Sequence, residues 1–446
     1  DNAVIIGQAA CGDGNLTSDA DGTTIVGRLA GYALTSGQGN TAVGMDALKS
    51  EDDGDFNTAI GYQSLSNQTG VSGTVGNTAV GYRAGHAITS GKEDTMIGYN
   101  AGVSTTTGLH NTAVGSQAFT TNVDGDHNTV VGYASLYTFE ASSDGNGKNT
   151  SIGSNAMFHN SSGQFNAGLG YEAVMGVSGQ TNTTSGSVGV GYRAGGTITS
   201  GNNNIAIGLD AVYGANVTGD NNIAIGAHTG DALTSGYENI MLGKDAGGAI
   251  TSGNNNVLLG RDAGKSLQNA GNNVCIGTST LSLATTDADQ CIAIGNSAMS
   301  GNFSTANVNF NIAIGTNSQA GVLTSGTAGT VSVGYNTLTG LTDGQRNTAV
   351  GYEALKDVTG NDFNTGFGFM SLTNVTGDKN TAVGESSGDE LTTGDENTYL
   401  GSQTNAKAGD TDAQNRTIIG YGTRGQTDNS VTLGNTSVTD VYMNQN

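Results

Sequence analysis

Along the whole chain a β-branched or aliphatic residue, a mostly small residue and a second apolar residue follow one another 25 times, with Gly behind and most often Asn in front. Asn40-Thr41-Ala42-Val43-Gly44, Asn204-Ile205-Ala206-Ile207-Gly208 and Asn347-Thr348-Ala349-Val350-Gly351 are three copies. Number the Asn slot 0 and the Gly slot 4. Slot 3 is then aliphatic everywhere except at Phe367, and slot 1 is Thr, Val or Ile everywhere except at Ala167. Alternation over three residues predicts a short strand with slots 1 and 3 on one face and slot 2 on the other. β-Branched side chains suit a packed sheet surface, so slots 1 and 3 are expected to face the interior. The small slot 2 is then expected to face outward, where a neighbouring surface comes close.

The rest of the unit repeats as strictly. Slot 7 is Ala, Ser or Thr in all 25 copies, as a tight corner requires, and slot 5 is often Tyr, as at Tyr62, Tyr82 and Tyr99. A second apolar position follows at slot 11, at Leu34, Ile88, Ile198, Leu233, Ile250, Leu267 and Leu391. Thr-Ser-Gly or Thr-Gly and one or two polar residues then lead to the next Asn, which is turn chemistry. Each unit therefore reads as two short strands and two turns, a flattened coil. Of the 24 spacings between unit glycines 13 are 17 residues, and all lie between 14 and 21. A short period kept from end to end predicts an all-β parallel β-solenoid and leaves no stretch for a separate catalytic domain. Twenty-five coils at about 4.8 Å each predict a shaft of about 120 Å over residues 1–434, followed by a tail at 435–446. Asn at slot 0, present in 17 of 25 copies, is expected to hydrogen-bond up the ladder and cap turns.

Composition narrows the function. The 446 residues include 74 Gly, no Pro and no Trp. Such abundance of small and polar residues also occurs in disordered chains, but those do not keep an aliphatic residue at one phase of every repeat. The net charge is −23, with 15 basic residues spread thinly. No cationic run exists to displace counterions, so nucleic acid and anionic membrane surfaces are not expected partners. Cys11, Cys275 and Cys291 read as free thiols filling small apolar spaces. The absence of a signal peptide, an apolar span or an initial Met reads as a processed or partial chain.

The unit Asn-x-x-Ile-Gly, followed by small residues and a Gly turn, resembles the left-handed parallel β-roll in the heads of trimeric autotransporter adhesins of the YadA type. The same repeat occurs in phage tail fibres. The resemblance runs from Ala3 to Gly434, with a longer repeat here: 17 residues rather than about 14. It implies a left-handed coil, a homotrimer and an attachment role. The C-terminal stretch Asp428 to Val441 is similar to the lead-in to the intramolecular chaperone of endosialidase-type tail fibres and tailspikes. The expectation is a structural, non-enzymatic trimeric rod for host-cell attachment, on a virion tail fibre or a cell surface. Its partners would be a host glycan or protein receptor and other virion or filament proteins. A bacterial trimeric surface adhesin or extracellular filament is the alternative, and a polysaccharide-degrading tailspike ranks last.

No catalytic, cofactor-binding or metal-ligating residue is assigned from sequence. Gly189-Val190-Gly191-Tyr192-Arg193-Ala194-Gly195 lacks the strand–helix setting of a nucleotide loop. His86, His110, His127, His159 and His228 show no metal-ligand spacing. Acidic turns at Asp13, Asp19 and Asp21, at Glu51, Asp52, Asp53 and Asp55, and at Asp124 and Asp126 hold calcium-type oxygens without a calcium-loop pattern, and solvated turns account for them. The run of Thr at slot 1 from Thr24 to Thr150 raises an ice-binding face, set aside because the slot turns to Ile and Val and is read as interior. The long turns Ser66–Gly76, Phe139–Lys148, Gly176–Gly186 and Gly301–Asn309 are the candidate receptor contacts.

Overall fold

The computed structural model describes residues 2–12, 16–69, 72–140, 146–284, 288–303, 308–323 and 327–442. The chain is an all-β parallel β-solenoid of about 24 turns, with about 17 residues per turn. It divides into two compact units, Asp1–Ala227 and His228–Asn446. In the first, three-residue strands run from Val4–Ile6 to Ile223–Ile225. Neighbouring strands pair in parallel and in register, Thr24 with Thr41, Ile25 with Ala42 and Val26 with Val43. The second unit repeats the arrangement from Ile240–Leu242 to Ser430–Leu433.

The interior is the reverse of the expected one. Between the first and last coils slot 2 is buried in both units, at Ala42, Ala113 and Ala206 as at Ala313, and it holds Ile25, Met96, Met241, Leu258 and Tyr399 where the residue is large. Slots 1 and 3 point outward and are half-buried or exposed, as at Thr41 and Val43 and at Ile205 and Ile207. The reason is room. One coil must also hold the slot-0 Asn, the slot-7 Ala and the apolar residues of slots 8 and 11, so the strand can add only its middle side chain. Slots 7 and 11 are inside as expected, at Ala30, Ala84, Leu34, Ile88 and Leu267.

Slot 8 completes this core. It is Leu48, Leu65, Leu136, Met157 or Val174 in some coils, all fully buried, and Gly in others. Opposite Ile25, Met96, Met241 and Leu258 at slot 2, slot 8 is Gly31, Gly102, Gly247 and Gly264. A Cβ on Gly31 would lie 2.8 Å from Ile25 Cδ1, and one on Gly264 would lie 2.9 Å from Leu258 Cδ2. In these coils slots 2 and 8 share one space, as close packing demands.

The second strand expected in each coil is mostly missing. Only Gly54–Asp55 with Gly73–Thr74 forms one among the described residues. Elsewhere isolated bridges, such as Ile198 with Val217, and scattered hydrogen bonds, such as Thr35 N–H to Asp52 O at 2.7 Å and Thr106 N–H to Val123 O at 2.8 Å, join the coils on that side. The turning is done by left-handed backbone at slots 6, 8 and 16, shown by Asp46 (φ 58°), Leu48 (φ 49°) and Phe56 (φ 62°). Even the β-branched Val174 and Val212 adopt it, at φ 47° and 52°, a conformation such residues rarely take. Three left-handed residues interrupt extended backbone, and so one strand per coil survives.

The Asn ladder forms as expected. Asn40 Nδ2 donates to Gly54 O at 2.8 Å, and Asn57 N–H donates to Asn40 Oδ1 at 2.8 Å. In the second unit Asn256 Nδ2 donates to Ala270 O, and Asn273 N–H donates to Asn256 Oδ1. Each side chain accepts from the following coil and donates to a turn carbonyl, so buried amide groups are satisfied both ways. Asp94 and Cys291 take the same position in their coils. The Cys291 thiol, pushed up to about 11 mainly by burial, contacts Val308 O at 3.1 Å. Cys275 is also a buried free thiol.

Candidate functional site

The strand's outer face is the most regular surface of each unit. Because register is kept from coil to coil, slots 1 and 3 form two parallel rows. In the first unit slot 3 gives Val43, Ile60, Val80, Ile97, Val114, Val131, Ile152, Leu169, Val190, Ile207 and Ile225. Ile60, Ile97, Ile152 and Leu169 are each exposed by 37 to 39%. These eleven rungs at about 4.8 Å carry the apolar row for about 50 Å, and folded monomers seldom leave that much contiguous apolar surface open. The second unit carries the same face from Ile240 and Leu242 onward, with Ile276, Phe367 and Leu400 exposed.

Beyond the slot-4 bend lies a row of aromatic rings. Tyr62 stacks on Tyr82 at 5.4 Å between centroids, and Tyr82 on Tyr99 at 5.2 Å. Tyr335, Tyr352 and Phe369 form a matching stack in the second unit. Stacked rings cover one another's faces, so the row offers edges and hydroxyls to a ligand.

No family model matches the chain, and the search of curated proteins finds no relative. The surface itself is the guide to function.

The acidic turns do not assemble a ready cation site. Glu51, Asp52 and Asp53 bring one carboxylate oxygen each within 4.8 Å of one another. Both Glu51 oxygens are already engaged: Oε1 accepts from the backbone N–H groups of Asp52, Asp53 and Gly54, and Oε2 accepts from Gln68 Nε2 at 2.6 Å. Burial and the neighbouring Asp52 push Asp53 above the usual carboxylate range. Asp55, Asp126 and Asp21 each accept a backbone N–H from the preceding coil, at 2.8, 2.7 and 3.0 Å. These carboxylates are turn braces. Millimolar calcium should therefore leave the melting temperature unchanged; a rise of several degrees in differential scanning calorimetry would contradict this assignment. Asp13 lies outside the described residues.

The remaining sequence candidates disperse. Gly189 and Val190 belong to a strand, and a Cβ on Gly189 would meet Val174 Cγ2 at 2.6 Å, so this string packs a coil and cradles nothing. His86 Nδ1 pairs with Ser66 Oγ at 2.6 Å, and burial lowers its pKa. His159 meets the Phe158 ring edge-on. The turn Gly176–Gly186 is stapled by Asn182, whose side chain accepts from Val177 N–H and donates to Val177 O. The other three long turns lie partly outside the described residues. The slot-1 Thr row does point outward, so an interior position is no argument against an ice-binding array. What opposes it is the break of the Thr run at Ala167, Val188, Ile205 and Ile223.

Sequence reasoning missed the outer face because it placed slots 1 and 3 inside. It also dismissed His110 and His127, which one 17-residue coil brings face to face at 4.7 Å.

Proposed function

We propose that this protein is the shaft of a homotrimeric attachment fibre, of the phage tail-fibre kind, in which three copies turn their slot-1 and slot-3 rows toward a common axis. The observation that carries the reading is the outer strand face, where an aliphatic slot-3 row is kept through nearly every coil beside a β-branched slot-1 row. Its residues are β-branched or aliphatic where a solvated face would carry charges, and a coil core of Ala, Asn and one or two larger side chains leaves these rows as the main reserve of apolar burial. The −23 net charge keeps such a rod soluble and disperses its outer surfaces. The long turns and the Tyr rows remain for a host glycan or protein receptor, on a virion or at a cell surface. A bacterial trimeric adhesin uses the same construction and is the second form of this proposal. A repeat kept from end to end favours a structural reading over an enzymatic one.

Native mass spectrometry tests it directly. The wild-type chain is expected as a trimer. Val114→Lys with Ile207→Lys, two outward positions in the first unit, is expected as a monomer with an unchanged β-type circular dichroism spectrum. Each buried ammonium without a partner would cost on the order of 3 kcal/mol at the interface. A monomeric wild type, or a double variant that stays trimeric, would refute the packing. For the attachment role, purified trimer should compete with virus for adsorption to susceptible cells.

A further inference from the structure

We infer that Glu93, His110 and His127 form a surface site for a borderline divalent metal ion, with zinc as the best-suited ion. The three residues occupy slot 16 of successive coils, one above another. Each has the same left-handed backbone, at φ 56°, 59° and 56°. Each donates its N–H to the coil before it, to Val75 O, Lys92 O and Leu109 O at 2.9, 3.0 and 2.9 Å. The solenoid therefore fixes three ligand-bearing Cα positions in one column.

Glu93 faces His110, and His110 faces His127. Glu93 Oε2 lies 3.4 Å from His110 Nε2. That separation matches one edge of a tetrahedron whose metal–ligand bonds are about 2.0–2.1 Å. The His110 and His127 rings are parallel within 3° and 4.7 Å apart. Bringing a nitrogen of His127 to the same ion takes a tilt of one ring, and both side chains are exposed and free to make it. Two imidazoles and a carboxylate are a donor set for zinc, nickel or copper rather than for calcium or magnesium, and water would complete the shell. The spacing is invisible to linear motifs, because ligands 17 residues apart become neighbours only when one coil closes.

The slot-16 column lies two residues before the slot-1 row, and its test reads metal binding rather than assembly. Zinc chloride titrated into the full chain in a Cys11→Ser background, followed by isothermal calorimetry, should show saturable binding of one ion per chain. The His110→Gln, His127→Gln double variant should weaken it by at least roughly tenfold, the scale for losing metal-ligand support. Glu93→Gln should weaken it less. Asp52→Asn with Asp53→Asn should leave it unchanged. Imidazole resonances of His110 and His127, and not those of His86 or His159, should shift on zinc addition. Equal affinity in the histidine double variant, or no saturable binding by the wild type, would overturn the assignment.

Discussion

Replacing Gly44 by Ala is expected to unfold the coils around it, at a cost of about 4 kcal/mol, whereas the same change at Gly179 costs about 1 kcal/mol. Gly44 sits at slot 4 with φ +133°, and a Cβ there would lie 2.5 Å from Gly61 O and 2.7 Å from Gly61 C. Those atoms have nowhere to go. Gly61 N–H donates to Val43 O at 2.7 Å and Gly44 N–H to Val26 O at 2.8 Å, so a retreating carbonyl breaks the strand ladder. Backbone strain of about 1–3 kcal/mol for a non-Gly residue in this region adds to overpacking of about 1–3 kcal/mol. Gly179 also has positive φ, +77°, but nothing lies within 4 Å of its missing Cβ, so only left-handed strain of about 1–2 kcal/mol remains. Urea unfolding of the two variants gives the comparison. Hydrogen exchange should show protection lost first at Val26, Val43 and Ile60 in the Gly44 variant, because a solenoid's coils depend on their neighbours. Equal costs at the two sites would mean that the glycine column is dispensable.

Asp94→Asn is expected to stabilise the protein near neutral pH by several kcal/mol, and to remove a loss of stability that the wild type shows as pH rises. Asp94 stands in the Asn ladder. Its N–H donates to Asn77 Oδ1 at 2.9 Å, and its Oδ1 accepts from Asn111 N–H at 2.7 Å. Oδ2 is buried without a hydrogen-bond partner. In the flanking coils the corresponding atom is an amide nitrogen that donates to a turn carbonyl, Asn77 Nδ2 to Gly91 O and Asn111 Nδ2 to Gly125 O. A carboxylate cannot donate; a carboxylic acid can. Burial, the largest cause, and the Asp126 charge push Asp94 up to about 8, although its bonds from Asn111 pull the other way.

The sign follows from proton counts. Between about pH 4 and 8 the folded chain keeps the Asp94 proton and the unfolded chain releases it, so unfolding is favoured as pH rises. Stability is full below the unfolded value of 3.8 and falls until the folded group ionises near 8. At about 1.4 kcal/mol per pH unit the loss is on the order of 5 kcal/mol. An asparagine at this position supplies the missing donor and carries no charge. Thermal melts from about pH 4 to 9 should fall for the wild type relative to Asp94→Asn, and a constant difference between the two would rule out the buried acid.

Much of the fold was legible from residues alone. Period two across slots 1 to 3 predicted the strand, the Gly at slot 4 its end, and the recurrence of about 17 residues the stacking. Asn at slot 0 had one economical use, a ladder, and Asn40, Asn57 and Asn256 make it. Slot 11 and the slot-7 corner lie inside because apolar and small residues at one phase have few other places to go. The candidate sites were read less well. His110 and His127 carry no signal in a linear scan, and Glu51 differs from a calcium ligand only through the donors that fold around it.

What the sequence could not decide was direction. Alternation divides a strand's side chains into two sets but is symmetric between them, so it leaves open which set faces in. That choice depends on the cross-section of the closed coil. Asn at slot 0, Ala at slot 7 and the shared volume of slots 8 and 11 leave room for one strand side chain, and the β-branched pair is turned out. The left-handed backbone at Leu48, Val174 and Val212 was equally hidden, since these residues disfavour it and adopt it only because burial in a closed coil compensates. Sequence alone thus determined that the chain repeats, pairs with itself in parallel and stacks. Tertiary structure alone decided which face of the repeat is turned outward.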